Sequence, residues 1–308
     1  MTKTVFIDGG AGTTGLEIAD RLSGRSDLSI LILPDSRRKD AEARREAIND
    51  ADFIILCLPD DAAREAVALI ANDRTRVVDA STAHRTADGW TYGFAELDPE
   101  QQDRIAAARF VSNPGCYPTG FLALVRPLVR AGIVPADFPL TVNAASGYSG
   151  GGKALIAEYE TATERAFRPY GLGIAHKHGP EMQRHSGLGH APIFAPSVVD
   201  TYRGMVVEVP LPLYALPGAP SLGSIANTLA EAYADSRIVH FSPDAVAAVS
   251  IEENAGTDRM TLRVCGNAAT GQARLIATLD NLGKGAGGAA VQNLNIMAGL
   301  DPTAGLVL

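Results

Sequence analysis

The stretch Ser112-Asn113-Pro114-Gly115-Cys116-Tyr117-Pro118-Thr119-Gly120 sets a cysteine at a turn that leads into an apolar, helix-like run. Gly115 permits backbone geometry closed to other residues, and Pro118 suits the first helical position. The spacing therefore predicts Cys116 just outside a helix N-terminus. There the positive end of the helix and its unpaired N–H groups favour a thiolate over a thiol. A thiolate so placed can attack an acyl carbon while backbone donors hold the oxyanion that forms. The competing reading is a cysteine buried for packing alone.

A second dense group is His176-Lys177-His178-Gly179-Pro180-Glu181. Alternating histidines lie on one side of an extended segment, and either ring can give or take a proton near neutral pH. No cysteine or further histidine stands at ligand spacing, so no metal is expected. The run Ser146-Gly147-Tyr148-Ser149-Gly150-Gly151-Gly152-Lys153 contains G-x-x-x-x-G-K. Ala154 follows where a P-loop needs Ser or Thr for magnesium, which excludes a nucleotide triphosphatase and leaves a substrate-contacting or plain surface loop. Arg85 follows an apolar run ending at Asp79 and so belongs at the carboxyl edge of a sheet. An arginine there grips a phosphate or carboxylate with parallel bonds, or else sits in a surface ion pair.

Gly9, Gly12 and Gly15 are spaced G-x-x-G-x-x-G, and Gly10, Gly12 and Gly15 satisfy the stricter dinucleotide fingerprint G-x-G-x-x-G. Turns without side chains let backbone amides approach a pyrophosphate, with the helix end supplying favourable charge. The motif counts because it lies between a strand-like run, Val5 to Ile7, and a helical pattern through Leu22. Beyond the second strand, Asp35-Ser36-Arg37-Arg38-Lys39 carries an acid suited to the ribose of NAD and cations suited to a 2′-phosphate. The cations beside a serine favour NADP.

The elements that must hold these groups follow from periodicity. Strand-like runs at 28–33, 53–58 and 77–79 alternate with helical patterns at 40–49 and 61–71. Such alternation predicts an α/β fold with a Rossmann-type, doubly wound parallel sheet. After Cys116 the candidate strands 140–144, 205–209 and 260–264 are well separated and rich in β-branched residues, which predicts a second α+β domain with a more antiparallel sheet. The boundaries expected are residues 1–115 for a nucleotide-binding domain, completed by 281–308, and 116–280 for a second, catalytic domain, to which the family resemblance given below adds oligomerisation.

Over 308 residues, 46% are hydrophobic and 20% charged, an ordinary globular balance with a substantial core. A net charge of −8 argues against a general nucleic-acid binder. The three cysteines, Cys57, Cys116 and Cys265, lie far apart, so a reducing cytoplasm fits and a disulfide framework does not. No signal-peptide pattern opens the chain, and no apolar run is long enough to span a bilayer.

With these motifs in hand, the chain resembles the N-acetyl-γ-glutamyl-phosphate reductases of arginine biosynthesis, in their shorter form, along nearly its whole length. The likeness rests on Gly9 to Gly15, on Ser112 to Thr119, on Ser146-Gly147, and on His176-x-His178-x-Pro180-Glu181. It extends to Asn281-Leu282-x-Lys284-Gly285-Ala286 and to Ala290-Val291-Gln292-Asn293-Leu294-Asn295. The resemblance implies Cys116 as nucleophile and His178 as acid and base, with His176 adjacent as a substrate or orienting group. It implies substrate contacts from Arg85, Asn113, Ser146 and Gly147. It further implies that Gly9, Gly12, Thr13, Thr14 and Gly15 bind the NADP pyrophosphate, with Ser36 and Arg37 near the adenosine ribose. Asn281, Lys284 and Gly285 would return to the nicotinamide. The partners it implies are a small acyl-phosphate substrate and further copies of the chain, as a homodimer or homotetramer. Reduction of an aspartyl or aminoadipyl phosphate, and a non-catalytic NADP-binding regulator, are the alternative readings.

Overall fold

Short apolar runs alternating with amphipathic stretches become, in the computed structural model, a wholly parallel sheet wrapped on both faces. The structure describes residues 2–163 and 166–308 and divides into two units. The first unit comprises the chain to Ala95, Pro99–Gly115 and Ala286–Leu306. Its strands are β1 (Lys3–Asp8), β2 (Leu28–Leu31), β3 (Phe53–Leu56), β4 (Arg76–Asp79), β5 (Thr91–Tyr92) and β6 (Phe110–Ser112). They pair in the order β2-β1-β3-β4-β6-β5, every pair parallel.

Burial on both faces explains why these strands read as continuous apolar runs. Val5 and Ile7 of β1 and Ile55 of β3 face α1 (Thr13–Leu22), which contributes Ile18 and Leu22 to the same cluster. Phe6, Ile54 and Leu56 point the other way, into a cluster with Ala47 and Ile48 of α2 (Ala41–Asp50) and Ala63 and Ala66 of α3 (Asp60–Ala68). Each such large side chain, fully removed from water, contributes about 1.5–3 kcal/mol. After α4 (Gln101–Ala107), α5 (Cys116–Arg130), α6 (Gly152–Thr161), α7 (Gly179–Ser186) and α8 (Leu222–Ala232), the chain returns to the first unit as α9 (Gly288–Ala298). That last helix adds Ala290, Val291, Leu294 and Met297 to the α1 face.

The second unit comprises Glu96–Asp98, Cys116–Gly285 and Val307–Leu308. Its strands are β7 (Thr141–Gly147), β8 (Phe167–Pro169), β9 (Ile193–Val199), β10 (Met205–Pro212), β11 (Val239–Phe241), β12 (Met260–Asn267) and β13 (Gln272–Leu279). They form one mixed sheet, β11-β12-β13-β10-β7-β9-β8. Its pairs are antiparallel except β7 with β9 and β11 with β12. Residues 281–285, expected with the first domain, belong to this unit, because Asn281 and Lys284 spend their polar groups here (below).

α5 carries Pro127 inside it, which removes the N–H that would bond the carbonyl of Ala123. The buried hydroxyl of Tyr233 donates to that carbonyl instead, at 2.9 Å. A helix with an internal proline thus stays satisfied and continuous from Cys116 to Arg130. Among the described residues, no helix is long and apolar enough to cross a membrane.

Candidate active site

Gly9 adopts a left-handed φ of +86°, and the turn closes with Gly12 N donating to Gly9 O at 2.9 Å. α1 then begins with Gly12 as its N-cap, so no side chain caps the helix and no acid stands in its first turn. The amides of Thr13 and Thr14 are therefore among the N–H groups that lack an intrahelical acceptor, an arrangement that suits a phosphate. A methyl on Gly15 would lie 2.6 Å from Gly9 O and 2.7 Å from Gly10 Cα, so only glycine lets helix and loop meet. A cleft of about 630 Å³ opens above this loop. Its walls come from the carboxyl ends of β1, β2 and β3: Asp8, Ile32, Leu33, Cys57 and Leu58. In the order β2-β1-β3 the connections run in opposite directions from β1, and ligands of parallel sheets bind at such switch points. The residues therefore fit a dinucleotide.

Gly15→Ala tests that fit. The forced shift of loop against helix costs about 1–3 kcal/mol in a packed site, so dinucleotide affinity should fall about tenfold or more. Fluorescence titration measures it, with circular dichroism as the control for folding. An unchanged dissociation constant would show that the loop does not contact the dinucleotide.

Within the second unit, Cys116 is the first residue of α5, and no acid stands in the helix's first turn. The helix starts two residues before the position expected from Pro118. A proline is accommodated within the first turn because N–H groups there need no intrahelical acceptor. Tyr117 follows Cys116 in α5, and its hydroxyl meets that of Tyr170. Burial, then Tyr170 and Cys116 as neighbours, hold the Tyr117 phenol well above its ordinary pKa. Burial, with Cys116 adding to it, pushes Tyr170 up to about 12. Tyr170 donates to the Tyr117 hydroxyl at 3.3 Å, and Tyr117 donates to Ser197 O at 3.2 Å. Ser146, buried at the end of β7, donates from its hydroxyl to Gly147 O at 3.0 Å. Its neighbour Gly147 ends β7, where its N–H donates to Gly204 O at 2.9 Å.

His178 is buried and caps α7, and its ring lies 4.7 Å from that of His176 and 5.8 Å from Tyr117. The rings meet because the chain turns here, with Gly179 N donating to His176 O. The extended alternation expected from sequence is absent. Burial foremost, helped by the Lys177 charge, lowers the His176 pKa, so the ring is neutral at pH 7. Its Nδ1 accepts the His178 N–H at 3.2 Å, which leaves the proton on Nε2.

Several expected site residues make hydrogen bonds or ion pairs within the protein. Asn281 Nδ2 donates to Ser149 Oγ and its Oδ1 accepts from Gly204 N, each at 2.9 Å. The Lys284 ammonium, 1% exposed, pairs with Glu96 at 2.6 Å. A buried ammonium requires such a counter-charge. A methyl at Gly285 would lie 2.9 Å from Cys116 Cβ, so this glycine makes room for the cysteine. Arg85 is buried in the first unit and donates from Nε to Asn113 O at 2.9 Å and from Nη2 to Ala80 O at 3.1 Å. Asn113 donates to Ala286 O and accepts from Asn293 of α9, both at 3.0 Å. Ser36 and Arg37 are exposed and do not line the cleft.

Of the other cysteines, Cys57 sits in the cleft wall, where burial and the charges of Asp79 and Asp8 push its thiol up to about 12. It is protonated and inert at neutral pH. Cys265 lies in β12. Sequence reasoning assigned nothing to Tyr117 and Tyr170. The one available signal was Tyr117's place beside Cys116. Among the described residues, no group of His, Cys, Asp and Glu is disposed to hold a metal ion.

Residues 4–105 match the semialdehyde dehydrogenase NAD binding domain, and residues 116–281 match the semialdehyde dehydrogenase dimerisation domain. N-acetyl-gamma-glutamyl-phosphate reductase 2 of Nostoc sp. is 50% identical over 98% of this chain and 98% of its own length. N-acetyl-gamma-glutamyl-phosphate reductase of Brucella ovis is 51% identical over 97% of this chain and all of its own length. Among solved structures, aspartate semialdehyde dehydrogenase II of Vibrio cholerae superposes with a TM-score of 0.75 over 97% of this chain and 99% of that one. At 16% identity, that likeness concerns the fold.

Proposed function

Because the chain belongs to the N-acetyl-gamma-glutamyl-phosphate reductases, oxidoreductases of the semialdehyde dehydrogenase family, we propose that it reduces N-acetyl-L-glutamyl 5-phosphate to the 5-semialdehyde with release of phosphate, in arginine biosynthesis. The observation that carries the chemistry is Cys116 heading α5, with Tyr117, Tyr170, Ser146 and the paired histidines gathered in the same unit.

The Cys116 thiolate, favoured by the helix end, attacks the γ-carbonyl carbon. The bond from that carbon to the phosphate oxygen breaks, inorganic phosphate leaves, and a thioester remains on the sulfur. The glycine loop and the first turn of α1 would hold NADPH, which when bound would provide the hydride for reduction of this thioester. His178 then protonates the oxyanion of the thiohemiacetal and takes the proton back as the carbon–sulfur bond breaks. The aldehyde departs and Cys116 is again a thiolate. Neutral His176, its Nδ1 occupied by the His178 amide, presents Nε2–H as a donor and orients the substrate. Ser146 and Gly147 line the substrate side of the same cluster, and Asn113 and Arg85 brace the turn that leads to Cys116.

The same reading makes the enzyme a cytoplasmic homodimer or homotetramer. Free thiols at Cys57, Cys116 and Cys265 support a reducing compartment. Exposed Phe167, Leu172, Ile174 and Ile193 of the second unit support an assembly of like chains.

Phosphate-dependent oxidation of N-acetylglutamate, aspartate and aminoadipate semialdehydes, assayed side by side with NADP, tests the substrate. The N-acetylglutamate compound should have a kcat/KM at least about a hundredfold above the others, since a site built to pair a polar substituent discriminates strongly against its absence. Equal or better turnover of aspartate semialdehyde would overturn the assignment, and no turnover of any would favour a regulator.

A further inference from the structure

In parallel sheets of this kind the adenosine ribose sits beyond the carboxyl end of the second strand. An acid there takes the 2′-hydroxyl of NAD, or an arginine nearby takes the 2′-phosphate of NADP. The charged residues that follow β2 and line the cleft are Asp35, Arg38 and Lys39, joined by Arg44 from α2. Arg37 faces Glu46 instead, at 3.7 Å.

The acid suited to NAD already has a cation beside it, because Arg38 Nε lies 3.3 Å from Asp35 Oδ1. Both members are largely exposed, so the pair is weak and adjustable. Arg44 is held far more firmly. It reaches from α2 to the end of β1, where Nε and Nη2 both donate to one oxygen, Asp8 Oδ2, at 3.1 and 2.8 Å. The guanidinium is 14% exposed and the carboxylate 5%. A guanidinium carries donors on both edges of a rigid fork, so this attachment fixes Arg44 in the wall and leaves the rest of the fork for a ligand. With Arg38, Lys39 and Arg44 against Asp8 and Asp35, this end of the cleft is net positive.

We infer that Arg44, positioned by Asp8 and seconded by Lys39, reads the 2′-phosphate of NADP and sets cofactor choice, in place of Ser36 and Arg37. The inference rests on the reading of this cleft as the NADP site. A phosphate dianion gains charge-assisted bonds from both cations, whereas a ribose hydroxyl meets an acid that Arg38 already engages.

The experiment is calorimetric titration of the full chain with adenosine 2′,5′-bisphosphate and with AMP, fragments that differ only in the 2′-phosphate. The wild type should prefer the bisphosphate by about tenfold or more, and Arg44→Leu and Lys39→Ala should each remove about tenfold of that preference, the effect of one charge-assisted bond. Arg37→Ala should keep it. Lys39 is exposed, so its variant reports even if Arg44→Leu, which strands Asp8, fails to fold. Arg44→Lys, which keeps the charge and loses the fork, should fall between. Loss of the preference in Arg37→Ala, with retention in Lys39→Ala and Arg44→Lys, overturns the assignment and leaves the NADP reading standing. Equal binding of both fragments by the wild type overturns the NADP reading and the assignment with it.

Discussion

Cys116→Ser is expected to lower phosphate-dependent oxidation of the semialdehyde by at least about a thousandfold, the scale of losing a covalent nucleophile. The serine hydroxyl has no anion near pH 7 that the end of α5 could stabilise, so the helix that assists a thiol gives the alcohol little. Dinucleotide affinity should stay within about twofold, because Cys116 is not among the residues that line the cleft above the glycine loop. Mass spectrometry of wild-type enzyme quenched with acyl phosphate should find an acyl group on Cys116, and the variant should carry none. Turnover near the wild-type rate, or an acyl group elsewhere, would remove the thioester from the mechanism. The neighbours of Cys116 make a second point about this position. Gly285 leaves room for its side chain, and Tyr117 and Tyr170, both raised above their ordinary pKa, stay protonated at neutral pH and keep donating, Tyr170 to the Tyr117 hydroxyl and Tyr117 to Ser197 O.

Lys284→Met should cost about 3–5 kcal/mol of stability, since breaking a buried ion pair by removing one partner is strongly destabilising. Glu96, 7% exposed, is the other member of the pair. At roughly 2–4 °C per kcal/mol for a domain of this size, the melting temperature should drop by about 6–20 °C in calorimetry. Adding Glu96→Leu should recover most of the loss, because a buried pair replaced by packed apolar groups is often neutral or better. The double variant also decides between two roles for Lys284. If its ammonium serves only the pair with Glu96, the double variant folds and binds dinucleotide normally. If it also contacts the cofactor, as the motif around it implied, stability returns while affinity does not. A single variant that melts with the wild type would mean that the pair contributes nothing to the fold.

Much of the architecture was legible before any coordinates. Val5 to Ile7, the glycine turn and the helix through Leu22 could be read as strand, loop and helix, because each depends on the backbone freedom of nearby residues and on local periodicity. The alternation of further runs implied a parallel sheet, since both faces of its strands must be covered. Cys116 at a helix start followed from Gly115 and Pro118, with an error of two residues at the boundary, where proline is tolerated throughout the first turn.

The partners of side chains were less legible. The rings of His176 and His178 meet through a turn and not through alternation along an extended segment, which their spacing alone does not reveal. Arg37 and Arg44 are indistinguishable by type, and only the packing of α2 against the end of β1 decides that Arg44 meets Asp8 and lines the cleft. Lys284 and Glu96 lie 188 positions apart, and Asn281 and Ser149 lie 132 apart. The sequence by itself determined which segments become strands, helices and glycine turns, because those choices are made by neighbours along the chain. Tertiary structure alone decided which polar groups are consumed in holding the fold and which remain for chemistry, because that depends on where distant segments meet and on the cost of burying a charge without its counterpart.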